Sequence, residues 1–149
     1  MKKLLLLAAL LSMPVVAIPL DEVKQSFELT NVSSTDWYNK GDSMIAESSN
    51  QYRDMKINLS QKQGSVSVKL KPNSSFDAIA IMPCYKLVKM VDYQQAKTWG
   101  DDATKDELII KSVFNADLKN GESNSQLLNG WQLTMQRKAN MFTCEIVKQ

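Results

Sequence analysis

Met55-Lys56-Ile57-Asn58-Leu59-Ser60-Gln61-Lys62-Gln63-Gly64-Ser65-Val66-Ser67-Val68-Lys69-Leu70 is the stretch that decides the fold. Met55, Ile57 and Leu59 alternate with Lys56, Asn58 and Ser60. After the polar turn Gln61-Lys62-Gln63-Gly64 the alternation resumes, with Val66, Val68 and Leu70 set against Ser65, Ser67, Lys69 and Lys71. Apolar residues at period two on both sides of a short turn predict a β-hairpin with one buried and one wet face. Pro72-Asn73-Ser74-Ser75 closes it.

Working outward, Phe76 to Met82, apolar but for Asp77, reads as a more fully buried strand leading into Pro83-Cys84. Tyr85 to Tyr93 fits a helix or a strand. Thr104-Lys105-Asp106-Glu107 has the form of a capping box, and Ile109, Ile110, Val113, Phe114 and Leu118 follow at helical spacing. Helix over 105–118, stopped by Asn120-Gly121, is the expectation; the rival is a strand ending in an Asn-Gly hairpin turn. Trp131, Leu133 and Met135 alternate, Lys138-Ala139-Asn140 turns, and Phe142, Cys144 and Ile146 alternate again. Toward the N-terminus, 21–27 suits a short helix and 27–32 suits a strand equally well. Residues 33–51 read as a loop or a pair of short edge strands. The class is α+β: an antiparallel β-sheet of five to seven strands with one or two helices packed on it.

The first 17 residues have the form of a signal peptide. Lys2 and Lys3 supply the positive end, Leu4 to Leu11 an apolar stretch too short to span a bilayer, and Val15-Val16-Ala17 the small residues of a cleavage site. Cleavage near Ala17 leaves 18–149 as a single globular domain, expected in the periplasm or secreted. Losing Lys2 and Lys3 takes the 18 basic residues to 16, against 16 acidic ones. A near-neutral chain is a poor match to nucleic acid or to a polybasic membrane-surface role. No second apolar run is long enough to span a membrane, and no cysteine follows the cleavage site to carry a lipid.

Cys84 and Cys144 are the only cysteines. In an exported protein an even pair is most simply a disulfide, here expected to tie the end of a central strand to the last strand. On the chain-entropy account, closing so long a loop stabilises the fold by about 4 kcal/mol. A redox pair would be local, and two distant cysteines with no histidine make a poor zinc site.

The sequence has no histidine, which removes the commonest general base and metal ligand. It also lacks nucleophile-elbow, phosphate-loop and dinucleotide motifs. Asp101-Asp102, with Asp106 and Glu107 beside Trp99, forms an acidic cluster. Its simplest role is to meet the positive end of the following helix, and its spacing fails that of a calcium loop. Trp37, Tyr38, Tyr52 and Trp99 lie in polar surroundings, either as lids on the core or as anchors for a partner. Met55, Met82 and Met135 fall where alternation asks for apolar core. No catalytic residue, metal ligand or cofactor is expected; the candidate partner-binding residues are Trp37, Tyr38, Trp99, Asp101 and Asp102.

Asp92-Tyr93-Gln94-Gln95, followed by Trp99 and Asp101-Asp102, resembles a helical stretch of the colicin M immunity family of small, disulfide-bonded periplasmic proteins. The tryptophan falls earlier here than in that family, and the resemblance carries no site across. Export, small size, a stapled sheet and isolated aromatics point to a non-enzymatic binding protein. An inhibitor or immunity protein that occludes a partner enzyme, with no nucleic acid and no membrane span, is the leading expectation. The alternatives are an accessory or structural component of an envelope secretion or adhesion system, using a sheet edge, and a small-ligand or glycan binder.

Overall fold

The computed structural model describes residues 17–28, 30, 32–75, 78–91, 105–115 and 117–149. Residues 1–16 of the expected signal peptide, the stretch resembling the immunity family, and Trp99, Asp101, Asp102 and Thr104 lie outside these residues.

Helix α1 (Leu20–Glu28) settles the N-terminal alternative in favour of a helix, burying Val23 and Phe27. A 3-10 turn at Ser34–Asp36 is capped reciprocally: Ser33 accepts from the Thr35 N–H, while Asp36 accepts from the Ser33 N–H at 2.7 Å. Strands β1 (Trp37–Lys40), β2 (Ser43–Ser49), β3 (Arg53–Leu59) and β4 (Gln63–Leu70) then run as a meander. Helices α2 (Ala78–Tyr85), α3 (Val88–Val91) and α4 (Lys105–Val113) follow, and β5 (Ser123–Leu128), β6 (Trp131–Lys138) and β7 (Met141–Lys148) complete the chain. The seven strands form one antiparallel sheet in the order β1-β2-β3-β4-β7-β6-β5.

The hairpin read from 55–70 is β3–β4, with Met55, Ile57, Leu59, Val66, Val68 and Leu70 all buried. Residues 33–51 supply a pair of strands, closest to the second of the readings left open for them, with β1 at the sheet edge and β2 paired on both sides. The turn between β5 and β6 is Asn129-Gly130, with φ of 50° and 77°; two consecutive positive φ values match the right-handed twist of the flanking strands.

Phe76–Met82 does not form the expected strand: from Ala78 the chain is helical. Periodicity cannot separate a continuous apolar run in a strand from one in a buried helix, which is why the reading failed. The disulfide Cys84–Cys144, with Cα atoms 5.7 Å apart, therefore staples helix α2 to strand β7, not one strand to another. Both cysteines are fully buried. Met82 faces outward on this helix and is exposed, while Met55 and Met135 are core as expected.

Helix α4 ends at Val113, short of residue 118. The Asn115 side chain accepts the Asp117 N–H at 2.9 Å, turning the chain locally, while Phe114 and Leu118 remain buried. Gly121 caps no helix; its N–H donates to the Arg137 carbonyl at 2.8 Å and opens the β5–β6 pair. Strand β5 itself was not legible, since Ser123-Asn124-Ser125-Gln126 has no apolar alternation.

One core joins sheet and helices: Ile57, Val66, Cys144 and Leu133 from the sheet meet Phe27, Ile81, Leu87, Ile110 and Phe114. Arg53 is buried among them. Its guanidinium donates to the Thr30 carbonyl at 3.1 Å and the Ala80 carbonyl at 3.3 Å, tying the segments around α1 and α2 to the sheet. Burial holds its pKa below the ordinary arginine value.

Candidate functional site

Antiparallel register fixes which side chains share a face, because directly opposed residues point the same way. Buried residues of the alternating strands point toward the helices. The opposite phase makes an open face that none of the described helices covers.

Three rows cross it beside a shorter one of Gln63, Val147, Gln132 and Leu127. Tyr38, Ile45, Asn58, Ser65, Glu145, Thr134 and Ser125 form one. Glu47, Lys56, Ser67, Thr143, Gln136 and Ser123 form the next. The third runs Ser49, Asp54, Lys69, Met141 and Lys138. A shallow hollow of about 450 Å³ lies over β2, β3, β4 and β7, lined by Glu47, Asp54, Lys56, Ser67, Lys69 and Met141. A neighbouring one of about 400 Å³ lies past the end of β4, lined by Lys71, Asn73, Arg137 and Asn140.

The rim of the first hollow is organised by charge. Lys56 Nζ donates to Glu47 Oε1 at 2.7 Å, and the Tyr38 hydroxyl donates to the same oxygen at 3.3 Å. The hydrogen bond from Lys56, then its charge, holds the Glu47 carboxyl below its ordinary pKa, and the same contact raises that of Lys56. Ser49 Oγ donates to Asp54 Oδ1 at 2.7 Å, and Lys71 Nζ lies 3.1 Å from that oxygen. The Ser49 hydrogen bond first, then Lys71, lowers the Asp54 pKa. Exposed pairs of this kind add little stability; their effect is to hold long side chains in place around the hollow.

The structure separates the aromatics that the sequence placed together. Trp37 opens β1 facing the helices, half-buried, edge-on to Phe27 with centroids 6.1 Å apart. Its Nε1 is buried with no hydrogen-bond partner among the described residues. Tyr38, one residue on, points to the open face and is exposed. Consecutive strand residues take opposite faces, so the two cannot enter one cleft together. Tyr52 is exposed in the β2–β3 turn. Lys69, Lys138 and Met141 were not singled out from sequence; strand phase placed Lys69 on a wet face, but only register brings the three into one row.

Among the described residues, no group of three or more His, Cys, Asp or Glu side chains is placed to hold a metal ion, and no helix is long and apolar enough to cross a membrane. Comparison with protein-family models, curated proteins and solved structures finds no match to this chain.

Proposed function

We propose that this is an exported, non-catalytic binding protein of the inhibitor or immunity type, which occludes a partner enzyme by seating it on the open face of the sheet. The observation that carries the reading is where apolar surface is left exposed. Of the five large hydrophobic side chains exposed among the described residues, three, Tyr38, Leu127 and Met141, belong to the open face, at 47%, 59% and 40% exposure, while Tyr52 lies in a turn and Met82 on α2. These three stand among lysines, carboxylates and hydroxyls, with Met141 lining the first hollow, the mixture of apolar anchors and polar surround found where proteins meet. A half-wet antiparallel sheet needs no such anchors to stay soluble. The Cys84–Cys144 staple supports export to an oxidising compartment, as does the leader-like N-terminus. The histidine-free sequence favours contact over catalysis.

The test is affinity capture from the periplasmic fraction of the source cell with wild type and a Tyr38→Ala, Met141→Ser variant, followed by assay of whatever enzyme is retained. A stoichiometric enzyme, inhibited by wild type and released by the variant, is expected. A wild type that retains no enzyme, or one whose activity it leaves unchanged, contradicts the proposal.

A second reading rests on β5, an edge strand without charge or proline, which offers unpaired backbone groups for strand addition in an envelope assembly. Retention of an assembly component, blocked by Ser125→Pro and not by the Tyr38 variant, would favour it.

A further inference from the structure

We propose that Lys69, Met141 and Lys138 form a docking strip for an acidic segment of the partner protein, with a carboxylate at each lysine and an apolar side chain on the methionine between them. This rests on the contact reading above and names the chemistry of what the face receives.

Lys69 pairs in register with Met141, and Met141 with Lys138, so the three stand side by side on β4, β7 and β6. Adjacent strands are about 4.8 Å apart, which sets the lysine Cα atoms about 10 Å from each other. Both lysines and the methionine are exposed. Charge separates this row from the rest of the face. Lys56 is engaged by Glu47, and Lys71 by Asp54, whereas neither Lys69 nor Lys138 takes part in an ion pair among the described residues. Asp54 stands opposite Lys69 in register and feels its charge, but it is shared with Lys71, so that Lys69, Lys71 and Lys138 outnumber the carboxylate and leave an excess of cations beside an apolar tip, next to the hollow that Lys69 and Met141 line.

Neighbouring charges favour a peptide over a broad polyanion. Asp54 at the end of this row, Glu47 in the next and Glu145 in the row beyond fence the cations into a narrow strip. A bilayer of anionic lipid or a long sulfated glycan laid on this face would meet those carboxylates, while a peptide carrying two acidic residues around an apolar one would not. Met141 also asks for an apolar contact that a glycan sulfate does not supply.

The purified, isotope-labelled protein is titrated with a short peptide of Glu-Leu-Glu repeats and with its Gln-Leu-Gln counterpart, following backbone amides by NMR. The Glu peptide is expected to shift Lys69, Met141, Lys138 and their cross-strand neighbours, with affinity falling as salt rises because exposed charges are screened. The Gln peptide is expected to leave them unmoved. Lys69→Glu with Lys138→Glu should weaken the Glu peptide at least tenfold; should that variant fold poorly, the comparison of the two peptides on wild type decides. Equal binding of both peptides, no binding of either, shifts confined to another surface, or tighter binding of heparin or phosphatidylglycerol vesicles through the same lysines would each overturn the strip. An enzyme partner still held by the double charge-reversal variant but released by Tyr38→Ala would refute the strip and leave the contact reading standing. A wild type that captures no enzyme at all would sink the contact reading instead.

Discussion

A Cβ atom built on Gly64 would lie 2.5 Å from the sulfur of Met90 and 3.0 Å from Leu87 Cδ2. Gly64 sits on the buried face of β4, opposite Ile146 on β7, and the missing side chain is the space into which the α3 segment settles. Gly64→Ala makes the Met90 and Leu87 side chains shift, and overpacking of this kind costs about 1–3 kcal/mol. Urea unfolding should show the midpoint falling by that amount with the slope unchanged. A variant as stable as wild type would mean that the Met90 and Leu87 side chains move aside at no cost and that Gly64 is not needed for this packing.

Replacing both cysteines by alanine should cost about 4 kcal/mol, the loop-closure value for a cross-link of this span. The bond joins residues 60 apart and is the covalent tie between a helix and the sheet. Chemical denaturation of the double variant against the oxidised wild type measures it, and a difference under about 1 kcal/mol would show that loop closure contributes little here.

Arg53→Met keeps most of the apolar stem but withdraws the donors from the Thr30 and Ala80 carbonyls. A buried acceptor left without its donor costs about 1–3 kcal/mol, so the variant should be destabilised by at least that. Trp37→Phe is the contrasting case. It removes an indole N–H that is buried without a partner among the described residues while keeping an aromatic ring against Phe27. Its stability should stay within about 1 kcal/mol of wild type, because removal of the unpaired donor offsets the lost ring area. Thermal and urea unfolding of the two variants side by side test both statements.

Glu47 should titrate below the ordinary carboxylate range, and Lys56→Gln should return it toward that range, because the lysine supplies the hydrogen bond and the charge that depress it. The sign for stability follows. A carboxyl whose folded pKa is lowered contributes above its unfolded value and loses that contribution as pH falls through the folded value. Lys56, raised by the same contact, keeps its contribution below its unfolded value and loses it as pH rises through the folded one. Side-chain NMR titration reads the first effect; a Glu47 pKa unchanged by Lys56→Gln would contradict the pairing.

How much of this could be read from the chain depends on the element. Strands with apolar residues at period two, Met55 to Leu70 and Trp131 to Ile146, announced themselves because burial on one face writes its own alternation. Helix α2 did not, since it is apolar on every side, the exposed Met82 included, and so has no period to betray it. Strand β5 was hidden for the opposite reason: an edge strand with most side chains in water needs no apolar pattern. The two buried cysteines were legible as a pair, although the partner of Cys144 proved to be on a helix. On the open face, phase identified Lys56 and Lys69 as wet residues, but the row Lys69–Met141–Lys138 exists only through pairing between strands far apart in sequence. For Tyr38 the sequence left a lid on the core and an exposed anchor both open; strand phase puts it on the open face and turns Trp37 inward beside it once β1 is known.

The central claim is that a partner sits on the open face of the sheet and not on the helical side. Lysine acetylation footprinting of the protein, free and bound to the enzyme it captures, reads this directly. Protection of Lys56, Lys69 and Lys138, with Lys24, Lys89 and Lys111 labelled as in the free protein, is the expected result. Protection of Lys24, Lys89 and Lys111, with the open-face lysines left reactive, would contradict it.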